Sequence, residues 1–452
     1  MRNRKLNLAA AVGVALTATL ATGACGADAS EPKARTDCVR VVDEDTGEPT
    51  DECLPLAPEK DRVDTAEPVF TRPTSITNPL HPSSEVKQVI YGGQVDDKPF
   101  RTEFTLLPDT KTITMNGEKV KVRTLQYMAL SDGRIVELAH DWFAQADDGS
   151  VWYFGEDVFN YEDGVVADTE GTWLAGKTGP PAMIMPADPK VGDVYRPENV
   201  PEVVFEEVTV KAVNQTVKGP YGPVKGAITV AELHMDGSRE EKVFAPGYGE
   251  FSTGKEGELE AVSLAVPTDA KPGPVPEKLT ALSTAVRDAH SDGAPDPAAA
   301  ENVRAAWDAY RTSDRVPDLL TQQMNRDLDA LAEAVKARDA ELVHGAVLRV
   351  AQNDLDLHLH YEPLAKVESD RMDLWARQLK LDAEADDAGA VAGTVTSLEL
   401  TWDRVRHNTA PDKAKQIEDR LRELRGAADR KDTAAAAESA PRLMAALAQA
   451  KT

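Results

Sequence analysis

The chain contains little sulfur, few aromatic side chains and too little positive charge to balance its acids. Three cysteines among 452 residues are too few for a small disulfide-built scaffold. Lysine and arginine number 51 against 77 acidic residues, so the formal charge is −26 at pH 7. A surface of this kind repels phosphate, which excludes nucleic acid as a partner. The length predicts two to three domains.

Signatures of common enzyme classes are also missing. The sequence has no G-x-S-x-G, no H-E-x-x-H and no S-x-x-K accompanied by its supporting motifs. Residues 171–178 match the phosphate-binding pattern G-x-x-x-x-G-K-T, but that loop must open a helix, and Pro180 and Pro181 follow at once. We therefore expect no bound nucleotide, and the missing motifs favour a protein without catalytic activity. A hydrolase of envelope polymers stays an alternative, because two of the many carboxyl groups could act as its general acid and base.

No segment is long enough for a transmembrane helix, but the amino terminus carries an export signal. Three basic residues precede a short, alanine-rich apolar stretch over residues 6–24. Small residues close this stretch just before Cys25, which predicts a signal peptide over residues 1–24. Elsewhere no run approaches eighteen apolar residues.

The segment Thr22-Gly23-Ala24-Cys25 resembles the lipobox of bacterial lipoproteins. The resemblance implies a lipid on Cys25 and an anchor in the cell membrane, on its extracytoplasmic face. Thr22 stands where that pattern usually has Leu, Val or Ile, so simple secretion stays an alternative. Cys38 and Cys53 then form an even pair in an oxidising compartment, which predicts a disulfide loop in an acidic tether over residues 25–68.

Residues 69–266 hold most of the aromatic side chains and alternate with a period of two. Nineteen of the 24 aromatics lie between Phe70 and Phe251. Alternating runs recur between turn signals such as Asn116-Gly117 and Asp163-Gly164. Strands spaced by turns this tight predict an antiparallel β meander, folded as a sandwich or a half barrel.

A proline-rich linker over residues 267–278 separates this domain from a helical one. Its four prolines exclude a helix or a central strand. Over residues 279–452, Ala, Leu, Glu and Arg dominate and apolar residues recur three and four apart, which predicts helices. Three similar turns about 46 residues apart predict an α-helical hairpin bundle. The fold class is therefore α+β with two domains.

Four stretches of the β-domain have a familiar pattern: residues 140–157, 170–176, 183–187 and 191–196. Together they resemble a family of bacterial secreted β-domains and lipoproteins whose activity is unknown. The resemblance implies the fold class and the location, and it implies no activity, cofactor or catalytic residue.

The helical domain carries two trios of potential metal ligands. Each trio is spaced i, i+4, i+8, so each lines one helix face: Asp354, His358 and Glu362, and Glu399, Asp403 and His407. Two such faces in a bundle suit a transition metal. Solvated acidic faces with histidines at helix ends explain the same spacing without a metal.

Aromatic residues alternate along the strands of the β-domain. One alternating set faces the core and the other faces outward or into a cavity. We predict that four of these aromatic residues line a cavity for an apolar ligand: Trp142, Trp152, Phe154 and Trp173.

These observations predict a membrane-anchored extracytoplasmic lipoprotein without catalytic activity. Its β-domain would bind an apolar ligand, envelope material or a partner protein, and its helical domain would act as a scaffold. The alternatives are a lipoprotein that binds or delivers a metal through the helical trios, and a hydrolase of envelope polymers.

Overall fold

A large antiparallel sheet followed by a helical domain makes up the protein. The computed structural model describes residues 38–43, 46–115, 117–255, 258–271, 273–290 and 297–450. The predicted signal peptide and Cys25 lie outside the described residues. The order of strands and helices confirms the predicted α+β chain with two domains.

A short disulfide-bonded hairpin precedes the large sheet. Its strands β1 (Arg40–Val42) and β2 (Pro49–Cys53) pair antiparallel. The predicted disulfide between Cys38 and Cys53 is present, with a Cα–Cα distance of 5.3 Å. This part of the predicted tether lies against the sheet through one apolar cluster: Val39, Val42, Leu54, Phe205, Leu233 and Met235.

The large sheet is built from strands joined mostly by tight turns. Asp163 and Gly164 join two of these strands with φ of 47° and 72°, the positive values that a two-residue hairpin turn requires. The strands are β3 (Gln88–Val95), β4 (Lys98–Met115), β5 (Glu118–Ser131), β6 (Arg134–Gln145), β7 (Val151–Glu162), β8 (Val165–Asp168), β9 (Trp173–Leu174), β10 (Ala182–Met185), β11 (Val194–Val200), β12 (Val204–Gly219), β13 (Gly222–Leu233), β14 (Arg239–Ala245), β15 (Gly249–Lys255) and β16 (Glu258–Val266).

The strand order describes one continuous, curled sheet. It runs β10-β7-β6-β5-β4-β3-β16-β15-β14-β13-β12-β11, with β8 and β9 paired to β7. All the described ladders of this sheet are antiparallel, and none joins β10 to β11, so the sheet is not closed by hydrogen bonds. Side chains from both ends and from the middle nevertheless meet around one cavity on the concave face.

Alternation along the central strands separates the two faces of the sheet. On β4, Thr102 and Phe104 point into the cavity, whereas Arg101 and Glu103 face the helical domain. On β5, Tyr127 lines the cavity and its neighbours contact the helices. Both faces of these strands are buried, which is why their sequence is less clearly amphipathic than that of a solvated sheet.

The second domain consists of helices that pack as antiparallel pairs. They are α1 (Glu277–Ala289), α2 (Pro297–Arg311), α3 (Asp318–Ala337), α4 (Ala340–His358), α5 (Leu364–Glu384), α6 (Ala388–Val405), α7 (Pro411–Asp429) and α8 (Thr433–Ala450). Among the described residues, no helix combines the length and the apolar character that crossing a bilayer needs.

The three predicted repeat turns lie between α3 and α4, α5 and α6, and α7 and α8. In each, an aspartate caps the next helix by accepting a hydrogen bond from a backbone N–H three residues on: Asp339, Asp387 and Asp432. The residue before each cap has a positive φ, which reverses the chain. These turns confirm the prediction of helical hairpins.

The two domains share one apolar core. Met128, Leu130, Ile135 and Leu138, from the convex face of the sheet, belong to the same buried cluster as the helix interiors. The helices therefore pack directly on β5 and β6.

A balanced network of buried charges lies beside this apolar contact. Arg101 binds Glu103 at 2.7 Å and also pairs with Asp356, while Arg404 lies 3.0 Å from Glu368 and 2.5 Å from Glu103. Every side chain in the network is at most 9 % exposed. Three arginines face three carboxylates, and we call this set the interdomain ion network: Arg101, Glu103, Asp356, Glu368, Arg371 and Arg404.

Candidate functional site

The concave face of the curled sheet encloses a cavity of about 290 Å³. Nine acidic side chains line it, and one lysine, Lys242, faces them. His81 also lies on the wall, but burial lowers its pKa to about 4, so it is neutral at pH 7. The acidic residues are Glu137, Asp141, Glu156, Glu198, Glu206, Glu232, Glu240, Glu250 and Glu260.

Strand periodicity and one bulge place these acids inside. On β6, Glu137 and Asp141 are separated by an even number of residues and so point to the same face. On β7, Tyr153 and Glu156 are an odd number of residues apart, yet both line the cavity. The chain between them bends at Gly155, where φ is 115° and a Cβ would lie 2.3 Å from the Trp173 carbonyl oxygen. Only glycine fits this bulge.

The rest of the wall is aromatic and aliphatic. Phe104, Phe143 and Phe244 come from three different strands, and Val89 and Leu125 fill the space between rings. Tyrosine hydroxyls add hydrogen-bonding groups: Tyr91, Tyr127, Tyr153 and Tyr195. The cavity is therefore amphipathic, with an apolar body and many carboxyl groups.

Burial raises the pKa of most cavity carboxyl groups. Burial, followed by the charges of Asp141 and Glu260, raises the pKa of Glu137 to about 8. Burial also raises the pKa of Asp141 to about 7, although the hydroxyl of Tyr153 donates a hydrogen bond to it at 2.8 Å. Glu260 reaches about 7 for the same primary reason. No positive charge compensates the ionised forms of Glu137 and Asp141, and at Glu260 the charge of Lys242 offsets burial only in part.

Glu156 and Glu198 form a close carboxyl pair across the cavity. The pKa of each group is raised well above its ordinary value. Burial is the largest cause, and the negative charge of a neighbouring glutamate is the second. Two carboxylates that share one site do not both ionise at neutral pH, so one of them carries a proton.

A second cluster lies where β12, β13 and β14 meet. The ladder pairs Glu207 with Leu233, which places Glu206 opposite His234. Imidazole Nδ1 of His234 lies 3.3 Å from Glu206 Oε1, and Nε2 lies 3.6 Å from Glu240 Oε2. We call Glu206, Glu232 and His234 the His–Glu cluster, because their ligand-type atoms all lie within 4.8 Å of one another.

Lys242 and His234 hold the cluster together electrostatically. Lys242 Nζ lies 2.6 Å from Glu232 Oε2. Burial alone would lower the pKa of His234, but its hydrogen bonds with Glu206 and Glu240 outweigh burial and raise it to about 10. Burial would raise the pKa of Glu206, yet the same imidazolium and Lys242 lower it to about 2. Glu206 is therefore ionised and His234 protonated at neutral pH.

Among the described residues, the buried polar atoms of the cavity wall that lack a hydrogen-bond partner include the Tyr195 hydroxyl oxygen. The Tyr195 side chain on β11 is 1 % exposed, and its hydroxyl finds no hydrogen-bond partner among the described residues. Leaving a buried hydroxyl unsatisfied costs about 1–3 kcal/mol. A bound molecule that offers this hydroxyl a partner would recover that free energy.

The first helical trio predicted as metal ligands is held together by a serine. Ser283 on α1 donates to Asp354 at 2.9 Å and lies 2.7 Å from His358 Nε2. His358 Nδ1 is 2.9 Å from Glu362, which also pairs with Lys366. Burial raises the pKa of Asp354 to about 6. The trio thus forms a hydrogen-bonded set on α1, α4 and the turn after it.

The second trio is distributed over three separate contacts. Glu399 pairs with Arg425, Asp403 with Arg406 at 3.7 Å, and His407 with Asp109 at 3.3 Å. Among the described residues, the group with ligand-type atoms close enough for one ion is the His–Glu cluster, not a helical trio. Metal binding by the helical residues stays a prediction.

The four residues predicted to line a ligand lie in an apolar cluster instead of on the cavity wall. Trp142, Trp152, Phe154 and Trp173 are each at most 5 % exposed. The wall takes the alternate positions, Phe143 and Tyr153, because neighbouring residues on a strand point to opposite faces.

Sequence reasoning missed the nine cavity acids. A signal was available: Asp141 and Glu156 lie within the stretch 140–157, and Tyr195 lies within 191–196, two of the stretches that carry the family resemblance. Acidic residues inside apolar, alternating runs predict an inward-facing carboxyl when the strand is buried on both faces. No family model, no curated protein and no solved structure matches the chain.

Proposed function

We propose that this chain is a membrane-anchored extracytoplasmic lipoprotein whose β-domain binds a small cationic solute without catalysis. The observation that carries the proposal is the charge of the cavity: nine carboxyl groups and one lysine surround about 290 Å³. The helical domain, packed on the outer face of the same sheet, serves as a rigid scaffold. The alternative of a hydrolase stays a prediction.

The charge imbalance supports a cation rather than a neutral or anionic ligand. A positive charge about 5 Å from one carboxylate gains about 3 kcal/mol at an effective dielectric constant of about 20. Burial raises the pKa of Glu137 and Asp141 because no such partner offsets it. A bound cation supplies that partner and favours their ionised forms, so uptake releases protons and strengthens as the pH rises.

The size and the apolar wall set the scale of the solute. A volume of about 290 Å³ is near the lower end of small-molecule sites. Aromatic faces such as those of Phe104 and Phe143 also attract cations. The acidic wall favours a cation over the apolar ligand, envelope material or partner protein that the sequence predicts for the β-domain.

The amino-terminal signals support the location. The signal peptide over residues 1–24 and the lipobox-like segment ending in Cys25 would anchor the chain outside the cytoplasm. Labelled palmitate should be incorporated into the native chain and not into Cys25→Ser, which should leave the membrane fraction. Label in both chains would contradict the lipid anchor.

Binding is tested on the purified chain by thermal shift and calorimetry. The cations are putrescine, choline and Zn²⁺, and the dicarboxylate succinate is the matched anion. We expect at least one cation to raise the melting temperature and succinate to have no effect. The double variant Asp141→Asn/Glu156→Gln, which removes two cavity acids, should lose most of the shift that putrescine or choline produces.

A surface variant controls for overall charge. Asp419→Asn/Glu423→Gln removes two partly exposed acids on α7 and changes the formal net charge equally. It should bind as the native chain does. Equal losses in both double variants, or no response to any cation, would rule out the cavity as the site.

A further inference from the structure

We propose that the His–Glu cluster is a binding site for a divalent transition-metal ion of the zinc class. This inference rests on the proposed function, because it names the cation and the place in the cavity where it binds. It differs from the sequence-based hypothesis, which placed a metal on the helical trios.

The geometry brings three ligand-type groups to one point. Glu206 lies on β12, Glu232 on β13, and His234 in the turn just after β13. Their ligand-type atoms lie within 4.8 Å of one another. Two atoms bound to one zinc ion, each at about 2.1 Å, lie at most about 4.2 Å apart. Small side-chain rotations, together with release of the proton that His234 carries in the ion-free chain, therefore bring all three onto a single ion.

The donor set selects the class of metal. Two carboxylates and one imidazole form a mixed oxygen and nitrogen set, which suits Zn²⁺ and its neighbours in the first transition row. Ca²⁺ and Mg²⁺ prefer sites made of oxygen ligands alone. The deep position of the carboxylates, with Glu206 9 % and Glu232 3 % exposed, limits competition from water.

The surroundings of the cluster provide a second, independent sign of a ligand. The unpartnered hydroxyl of Tyr195 lines the same cavity and is fully buried. Zinc with three protein ligands keeps a fourth position for water or a solute. A molecule held in that position would offer the Tyr195 hydroxyl a partner inside the cavity.

The rigid sheet prepares the site. Glu232 is held by Lys242 Nζ at 2.6 Å, and His234 is held between Glu206 and Glu240. Side chains fixed on adjacent strands lose little freedom when they bind an ion.

The test is a titration of the full chain with ZnCl₂ after treatment with a chelator. Calorimetry should find one ion per chain, and Ca²⁺ should bind at least about tenfold more weakly. His234→Gln and Glu206→Gln should each weaken zinc binding more than about tenfold. Glu137→Gln removes a cavity acid outside the cluster and should stay within about threefold of the native affinity.

The outcomes separate this inference from the proposed function. Zinc binding that is absent, or that survives both cluster substitutions, overturns the metal site. Loss of binding in His358→Ala/His407→Ala but not in His234→Gln also overturns it. If putrescine or choline binds and zinc does not, the proposed function stands alone, and if no cation binds, both fail. Melting curves without metal show which variants fold, and Glu206→Gln carries the test if His234→Gln does not.

Discussion

The two faces of the same sheet bury charge in opposite ways. On the convex face, the interdomain ion network pairs three arginines with three carboxylates. On the concave face, nine carboxyl groups face one lysine. The network is electrically complete, whereas the nine cavity carboxyl groups outnumber the cationic groups beside them, Lys242 and the protonated His234.

The pKa directions express this difference. Burial would raise the pKa of Glu103, but Arg101 and Arg404 outweigh burial and lower it far below the ordinary value. At Glu137 in the cavity, no positive charge offsets burial, and the pKa rises to about 8. Buried charge that is fully paired belongs to the architecture, and buried charge that lacks a partner points to a ligand.

The largest expected effect comes from breaking the balanced network. Glu103→Gln leaves Arg101 and Arg404 without one carboxylate in a buried environment. The free energy of unfolding should fall by about 3–5 kcal/mol, measured by urea denaturation. The control Glu399→Gln breaks a partly exposed pair with Arg425 and should cost less than about 1 kcal/mol. Equal losses would show that the network holds no special role.

A smaller effect is the pH dependence that the cavity imposes. Glu137 and Glu232, with a pKa of about 8, and Asp141 and Glu260, with about 7, are raised above their values in the unfolded chain. Their contribution to stability is present at low pH and is lost as the pH rises through the folded values. Between about pH 6.5 and 8, the free energy of unfolding should therefore fall by a few kcal/mol.

Below about pH 6.5, other groups change the stability in the opposite direction. Histidines whose pKa burial lowers to about 4, such as His81 and His360, make stability rise with pH up to about 6.5. Stability that rises between about pH 6.5 and 8 would contradict the unbalanced cavity. A bound cation should flatten the fall.

Removing a cavity carboxyl group should raise the free energy of unfolding, whereas removing a carboxyl group of the interdomain ion network should lower it. Glu137→Gln removes a carboxyl group that is ionised at a cost, so it should stabilise the chain by about 1–2 kcal/mol at about pH 8. The gain should shrink toward zero near pH 4.5, where the native carboxyl is protonated. Urea denaturation at both pH values measures the difference, and destabilisation at about pH 8 would contradict it.

The smallest global effect is expected from the disulfide. Cys38→Ser/Cys53→Ser opens a loop with a sequence separation of 15, which is worth about 3 kcal/mol to the hairpin itself. Hydrogen exchange should show lost protection at Val42, whose N–H donates to the Met235 carbonyl oxygen. Amides of β4 to β6, which lie between the network and the cavity, should keep theirs. A loss there would show that the hairpin supports both regions.

Patterns within short segments predicted the fold class well. The period-two runs with Asp163-Gly164 turns became strands, and the Asp-containing turns became capped helical hairpins. These features depend on residues a few positions apart, which the sequence states directly. The pairing of Cys38 with Cys53 was predictable for a different reason, since the lipobox resemblance had already assigned the third cysteine.

The candidate site was not predictable to the same degree. Glu206, Glu232 and Glu240 lie on three strands, and their proximity depends on ladder register. The bulge at Gly155 moves Glu156 onto the cavity face, against the simple alternation. Trp142 and Trp152 were predicted to line the cavity, but they lie in an apolar cluster off its wall. The neighbouring residues Phe143 and Tyr153 line the cavity instead.

The sequence by itself determined the strands, the helical hairpins and an excess of acid, because local periodicity and composition carry that information. It also predicted the disulfide, because the lipobox resemblance left Cys38 and Cys53 as the remaining pair. Only the tertiary structure decided where the acid goes. Arg101, Glu103 and Arg404 are brought together from two domains and neutralise one another. Glu137 and Asp141, on a strand beside them, face a cavity with a single lysine. Composition sums charges along a chain, whereas burial and pairing depend on which residues the fold brings within a few ångströms.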